Sequence, residues 1–201
     1  MTRAKGFASP EIVTRCIEIM KRLDQPTVGL NHYGESLLHP EFLAIVAKFN
    51  ASSIKPWVYT NGDFLPHIVA DLAKMKLHSL VISGHAPQDE RAKLAEQCTS
   101  LGLPASWQRT VADNCVDIAG QVSIPGHAST SVLKNPSKHC RFLRDEMAII
   151  LWNGDLVPCC FDYDGKAVFG NVLDPIEEVL KLAPKPSALC DGCPGPPGNI
   201  V

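Results

Sequence analysis

The 201-residue sequence has no excess of basic charge: 19 Lys and Arg stand against 21 Asp and Glu, a net charge of −2. That balance excludes the electrostatic footprint of a nucleic-acid binder. Long apolar runs are missing too, and none approaches the roughly 18 residues that a membrane span needs. Residues 1–6 are too short and polar to read as a secretion signal, so a cytoplasmic location is expected. The seven His include no i,i+4 pair of the kind that grips a metal from one helix face. Charged residues make up only 20% of the chain and hydrophobic ones 45%, which excludes a disordered composition. What is plentiful is cysteine. There are eight, and five of them (Cys140, Cys159, Cys160, Cys190 and Cys193) crowd the C-terminal end. Without a secretion signal, metal or iron–sulfur ligation outranks disulfides as their use.

The front of the chain alternates between two textures. Ser9-Pro10-Glu11 is a helix start, with a capping hydroxyl, a proline at the first helical position and an acid behind it. Ile12, Val13, Cys16, Ile17, Met20 and Leu23 then recur at helical spacing. Further helical stripes follow Pro40-Glu41 (Phe42, Ile45, Val46, Phe49), run through Leu65, Ile68, Val69, Leu72 and Met75, and occupy residues 87–101. Between them lie short apolar runs at 27–30, 57–60 and 79–83. Strands about 25 residues apart with helices between them read as βαβ units, which build a parallel sheet. Such sheets carry their functional groups on the loops after each strand. Here those loops begin Asn31-His32-Tyr33-Gly34-Glu35, Asn61-Gly62-Asp63 and Ser83-Gly84-His85. Two weaker strands are expected at 105–109 and 116–123.

After Cys140 the texture changes. Two apolar runs flank Asn153-Gly154, the strongest short-range hairpin signal, in which both turn residues take positive φ. Asp174-Pro175-Ile176-Glu177 has capping-box spacing for a short helix. Asp162-Tyr163-Asp164-Gly165 lacks the later ligands of a calcium loop and reads as a turn. A four-thiolate site on Cys140, Cys159, Cys190 and Cys193 draws its ligands from separate segments, as a cage around a metal must. It suits either tetrahedral Zn²⁺ or an iron–sulfur cluster. Cys159 and Cys160 are adjacent and on a strand would point to opposite faces, leaving one as ligand and the other to pack nearby. Cys190-x-x-Cys193 is a poor thioredoxin-type pair, because Pro-Gly-Pro-Pro-Gly follows it instead of a helix. Cys16, Cys98 and Cys115 read as small core hydrophobes.

These motifs together resemble a known family. Gly29-Leu30-Asn31-His32-Tyr33-Gly34-Glu35-Ser36-Leu37-Leu38-His39-Pro40 is similar to the Gly-Glu-Pro-Leu-Leu-His-Pro stretch of radical S-adenosylmethionine (radical SAM) enzymes. Tyr59-Thr60-Asn61-Gly62 resembles that family's Thr-Asn-Gly, and Val81-Ile82-Ser83-Gly84 its next strand end. From Cys140, thirteen residues to Gly154 and four more to Cys159 resemble the opening of a SPASM or twitch domain. Gly170-Asn171-Val172 and the terminal Cys-x-x-Cys resemble its single-cluster form.

The resemblance implies an α/β fold: a partial TIM-like (β/α) barrel of radical SAM type over residues 1–135, missing its first βα unit, and a cysteine-rich SPASM/twitch domain over 136–201. It implies an auxiliary [4Fe-4S] cluster on Cys140, Cys159, Cys190 and Cys193. It also implies S-adenosylmethionine near Gly34, Glu35, Asn61 and Ser83. The family has Gly where Tyr33 stands and Pro where Ser36 stands. Its Cys-x-x-x-Cys-x-x-Cys motif, whose open iron drives reductive cleavage of the cofactor, is absent from these residues, and Cys16 is the first cysteine. The expected protein is therefore an incomplete radical SAM/SPASM protein whose intact relatives modify peptides or proteins. The alternatives are a non-enzymatic iron–sulfur electron-transfer or scaffold module and a zinc-stabilised α/β domain. The expected partner is a peptide or protein substrate, or a second chain covering the open barrel edge; neither nucleic acid nor membrane is expected.

Overall fold

The computed structural model describes residues 4–32, 34–84, 88–109, 140–191 and 193. The readings made above for Tyr33, His85, Cys115 and a strand at 116–123 fall outside the described residues. Chain contacts divide the protein into two compact units, Val13–Thr110 and Met1–Ile12 with Val111–Val201.

In the first unit, strands β1 (Thr27–Gly29), β2 (Lys55–Thr60), β3 (Ser79–Gly84) and β4 (Ala105–Arg109) form one parallel sheet in the order β1-β2-β3-β4. The helices α2 (Phe42–Ala51), α3 (Leu65–Leu72) and α4 (Gln88–Ser100) connect them, as the period of the sequence requires. The register runs Gly29 opposite Trp57, Thr60 opposite Ile82 and Ser83 opposite Gln108. The C-terminal ends of all four strands therefore lie along one edge. The core beneath is built from the inward positions that alternation selects. Val58, Leu80 and Ile82 from the strands meet Val46, Leu65, Leu72 and Cys98 from the helices, all fully buried. Cys98 is thus a core hydrophobe, as expected, and so is Cys16 on α1 (Pro10–Arg22). The expected cap of α1 is made: the Ile12 N–H donates to Ser9 Oγ at 3.3 Å.

In the second unit, β5 (Ile149–Ile150), β6 (Asp155–Val157) and β7 (Gly170–Asn171) form an antiparallel sheet in sequence order. The Asn-Gly hairpin joins β5 to β6, but with a different turn. Gly154 takes positive φ (89°) and Asn153 does not. The Gly154 N–H donates to Leu151 O at 2.9 Å, and the Leu151 N–H donates to Asp155 O at 2.8 Å. This is a turn of ordinary hand followed by a left-handed glycine, the pattern of a longer hairpin loop with a bulge. The Asn153 side chain bonds Asp155 instead of supplying a left-handed residue. The capping box at Asp174 is not formed either. Asp174 Oδ2 accepts from the Asn171 N–H at 3.0 Å, and the short helix Ile176–Val179 starts from Pro175 with no side-chain cap. In the hairpin turn, Trp152 Nε1 donates to Ala4 O at 3.0 Å, and the ring lies against Gly6.

Candidate functional site

Two groups of residues carry chemistry, one in each unit. The first lies along the C-terminal edge of the parallel sheet. After β1 the chain runs through Asn31 and His32 to Gly34 and Glu35, then makes a 3₁₀ turn at Ser36–Leu38. That loop is closed by its own side chains. Ser36 Oγ donates to Leu30 O at 2.5 Å, so the hydroxyl pins the loop. Glu35 is the knot. Its Oε1 accepts from the Leu37 N–H and from Thr60 Oγ1, both at 3.0 Å, and its Oε2 accepts from the Asn61 N–H at 2.8 Å. The carboxylate thus ties the first loop to the end of β2. Thr60, buried to 2% exposure, also accepts from the Gly62 N–H at 3.1 Å.

The four residues expected to meet the cofactor are placed as follows. Gly34 is exposed, has φ of 129° and faces open space where a Cβ would stand. Glu35 is half-buried and committed to the knot. Asn61 uses its backbone for Glu35 and its side chain for Asp63, which it meets at 3.0 Å in both directions. Ser83, half-buried, sits one residue from the end of β3. Reading the sequence missed Thr60, the hydroxyl on which the knot turns, although it stands inside the quoted Thr-Asn-Gly. It also missed Asn31, whose buried Oδ1 has no hydrogen-bond partner among the described residues. A buried acceptor without a partner among the described residues fits a ligand that brings a donor, as an ammonium group does.

The second group is the set of cysteines. Cys140 is buried and immediately precedes the short helix Arg141–Arg144. Cys159 and Cys160 lie in the turn after β6, not on a strand, so the alternation of a strand does not apply to them. The strand ends at Val157 because the chain bends at Pro158, which has no N–H to continue a ladder. Burial pushes the Cys159 thiol up to about 12, with Cys160 and Cys193 adding to the rise. It pushes the Cys160 thiol up to about 11, with Cys140 and Cys193 adding. Cys159 thus feels Cys160 and Cys193, and Cys160 feels Cys140 and Cys193. Cys190 ends the 3₁₀ turn Ala188–Cys190, and its sulfur accepts from the Ser187 N–H at 3.4 Å. Among the described residues no three His, Cys, Asp or Glu side chains are already gathered closely enough to hold a metal ion. The donor set nevertheless suits one: soft thiols drawn from separate segments, close enough to feel each other's charge.

Comparison with known proteins bears on both groups. Residues 140–194 match the family model of SPASM, an iron-sulfur cluster-binding domain. The crystal structure of BtrN in complex with AdoMet and 2-DOIA matches with a TM-score of 0.69 at 19% identity, over 88% of this chain and 70% of that one. The crystal structure of SeMet BtrN in an open conformation matches with a TM-score of 0.55 at 18% identity, over 87% and 68%. No curated protein matches. Residues 140–194 are thus similar to a SPASM iron–sulfur domain, and the fold is similar to that of BtrN. No helix among the described residues is long and apolar enough to cross a membrane.

Proposed function

We propose that this protein binds an auxiliary [4Fe-4S] cluster through Cys140, Cys159, Cys190 and Cys193, and binds S-adenosylmethionine at the strand ends marked by Gly34, Glu35, Asn61 and Ser83. The observation that carries the proposal is the SPASM match over residues 140–194, which spans all four thiols. The cofactor half rests on the closed loop at Glu35, the open space at Gly34 and the unpaired Asn31 acceptor, with the AdoMet complex of the neighbour in support. When bound, the cluster supplies one-electron transfer or an anchoring point for a ligand. The chain's own part is positional. Glu35 holds the loop against β2, which leaves the Gly34 backbone facing outward. Cys140 is buried and Cys159, Cys190 and Cys193 are half-buried, and a metal bound there would displace their protons.

These 201 residues contain no Cys-x-x-x-Cys-x-x-Cys, so the proposal for them is binding of cluster and cofactor, with no radical generation of their own. A peptide or protein is the substrate class that the SPASM resemblance favours.

The test is anaerobic reconstitution with iron and sulfide, followed by metal analysis and titration with S-adenosylmethionine. The expected result is a brown protein absorbing near ~400 nm, with iron lost on Cys-to-Ser exchange at any of the four positions and measurable heat on cofactor addition. Zinc without iron refutes the cluster. Cluster loading without cofactor heat leaves an electron-transfer or scaffold module.

A further inference from the structure

Asp162 is the one carboxylate among the described residues that is fully buried, and it lies three positions beyond Cys159. Its carboxylate oxygens are taken by backbone amides. Oδ1 accepts from the Lys166 N–H and Oδ2 from the Ala167 N–H, both at 2.8 Å. Its backbone is used as fully. The Asp162 N–H donates to Cys159 O at 3.2 Å, and its carbonyl accepts from the Gly165 N–H at 3.3 Å. One residue thus fastens the segment from Cys159 to Ala167 with four hydrogen bonds. A buried carboxylate carries a large desolvation cost, and two backbone donors offset it. A turn needing only mechanical closure would be served by the backbone bonds alone.

What the turn carries explains the expense. It carries two neighbouring half-buried thiols, Cys159 and Cys160, on the one segment that Asp162 closes. Two adjacent thiols near one cluster are rival ligands, and a mobile turn would let them exchange.

We propose that Asp162 is a positioning residue that fixes the turn so that Cys159, and not Cys160, ligates the cluster. The inference rests on the cluster reading above. Loss of Asp162 therefore frees Cys160 to compete, and it also removes a negative charge from the cluster's surroundings. A merely structural Asp162 would lower stability and iron loading without altering the character of the cluster that forms.

The experiment reconstitutes the full chain as wild type, Asp162→Asn, Asp162→Ala, Cys160→Ala and the double variant Asp162→Ala/Cys160→Ala. Iron per chain, the electron paramagnetic resonance spectrum of the reduced cluster and its midpoint potential are measured on each. The expected wild-type spectrum is a single species, and Cys160→Ala leaves it unaltered. Asp162→Ala gives two species, and the double variant returns to one. Asp162→Asn, which keeps one acceptor oxygen and the shape of the side chain, raises the midpoint potential even if the alanine variant fails to fold. Identical spectra and potentials for wild type and Asp162→Asn, with a single species in any Asp162→Ala protein that folds, overturn the inference while the cluster reading stands. A wild type that takes up no iron overturns both.

Discussion

Replacing Glu35 with alanine removes the side chain that ties the loop after β1 to the end of β2. Three donors lose their acceptor: the Leu37 N–H, Thr60 Oγ1 and the Asn61 N–H, at 3.0, 3.0 and 2.8 Å. A hydrogen bond to a charged group is worth about 1.5–3 kcal/mol when enclosed. Glu35 is half-buried and Asn61 is exposed, so water replaces much of what the Asn61 amide loses. The Thr60 hydroxyl differs. It is 2% exposed, and its proton is left without a partner, at a cost of about 1–3 kcal/mol. The expected local loss is about 2 kcal/mol, which at 1.4 kcal/mol per decade is about a 30-fold change in an equilibrium. Amide hydrogen exchange reads it directly. The Asn61 and Gly62 amides should exchange about 30-fold faster in Glu35→Ala, while amides in the centre of β2 and β3 keep their protection. Glu35→Gln keeps one acceptor and should show an intermediate effect. A double-mutant cycle with Thr60→Val should give a coupling of about 1 kcal/mol. Exchange at Asn61 within two-fold of wild type, or a coupling below about 0.3 kcal/mol, refutes the knot.

Leu80→Ala empties a fully buried position at the centre of the parallel sheet and should cost about 2–5 kcal/mol in denaturant unfolding; a loss under 1 kcal/mol would mean that the site collapses around the gap. Gly154→Ala places a Cβ at φ of 89° and 2.8 Å from Asn171 Oδ1. It should destabilise the hairpin by about 1–3 kcal/mol, read as a lower melting temperature and faster proteolysis within 149–157. Burial pushes the Cys16 thiol from 9.0 up to about 12. Its folded value lies above its unfolded one, so its contribution is fully present below pH 9 and is lost as the pH rises from 9 toward 12. Over that window unfolding titrations should show a shallower decline for Cys16→Ala than for wild type, and equal slopes would refute the assignment.

The parallel sheet was legible because each βαβ unit announces itself locally. An apolar run, a capping or breaking residue and a helical stripe recur in order, and register follows once the strands lie side by side. Residues 105–109, a weak pattern, proved to be a strand because Leu80, Ile82 and their neighbours offer β3's open side to it. Where the reading failed, side chains competed with the pattern. Asn153 chose Asp155 over a left-handed turn, and Asp174 chose the Asn171 amide over a helix cap. Both are polar residues whose short side chains reach more than one backbone or side-chain partner, and only the tertiary arrangement decides among them. The same applies to the sites. Glu35, Gly34 and the cysteines could be picked out by type and spacing. Thr60, Asn31 and Asp162 could not, because their importance lies in burial and partners that a sequence does not print.

The two candidate sites differ in how far the chain builds them before any ligand arrives. The loop at Glu35 is complete in itself: each carboxylate oxygen is used, and Ser36 closes the same loop from the other side. Order there costs the ligand little, which favours binding. The cysteine site is the reverse. Burial holds the Cys159 and Cys160 thiols at about 12 and about 11, so at neutral pH they keep their protons. On the proposed cluster reading, a metal would displace protons and draw the segments together, and its binding free energy would become folding free energy for that unit. What the chain does supply in advance is the direction of approach: Cys140 at a helix start, Cys190 at the end of a capped 3₁₀ turn, and Cys159 on a turn nailed by Asp162. A preformed carboxylate knot and the proposed ligand-completed thiol site therefore predict opposite responses to reconstitution. Exchange protection near Asn61 stays as it was, while protection from Cys159 to Ala167 rises only when iron is bound.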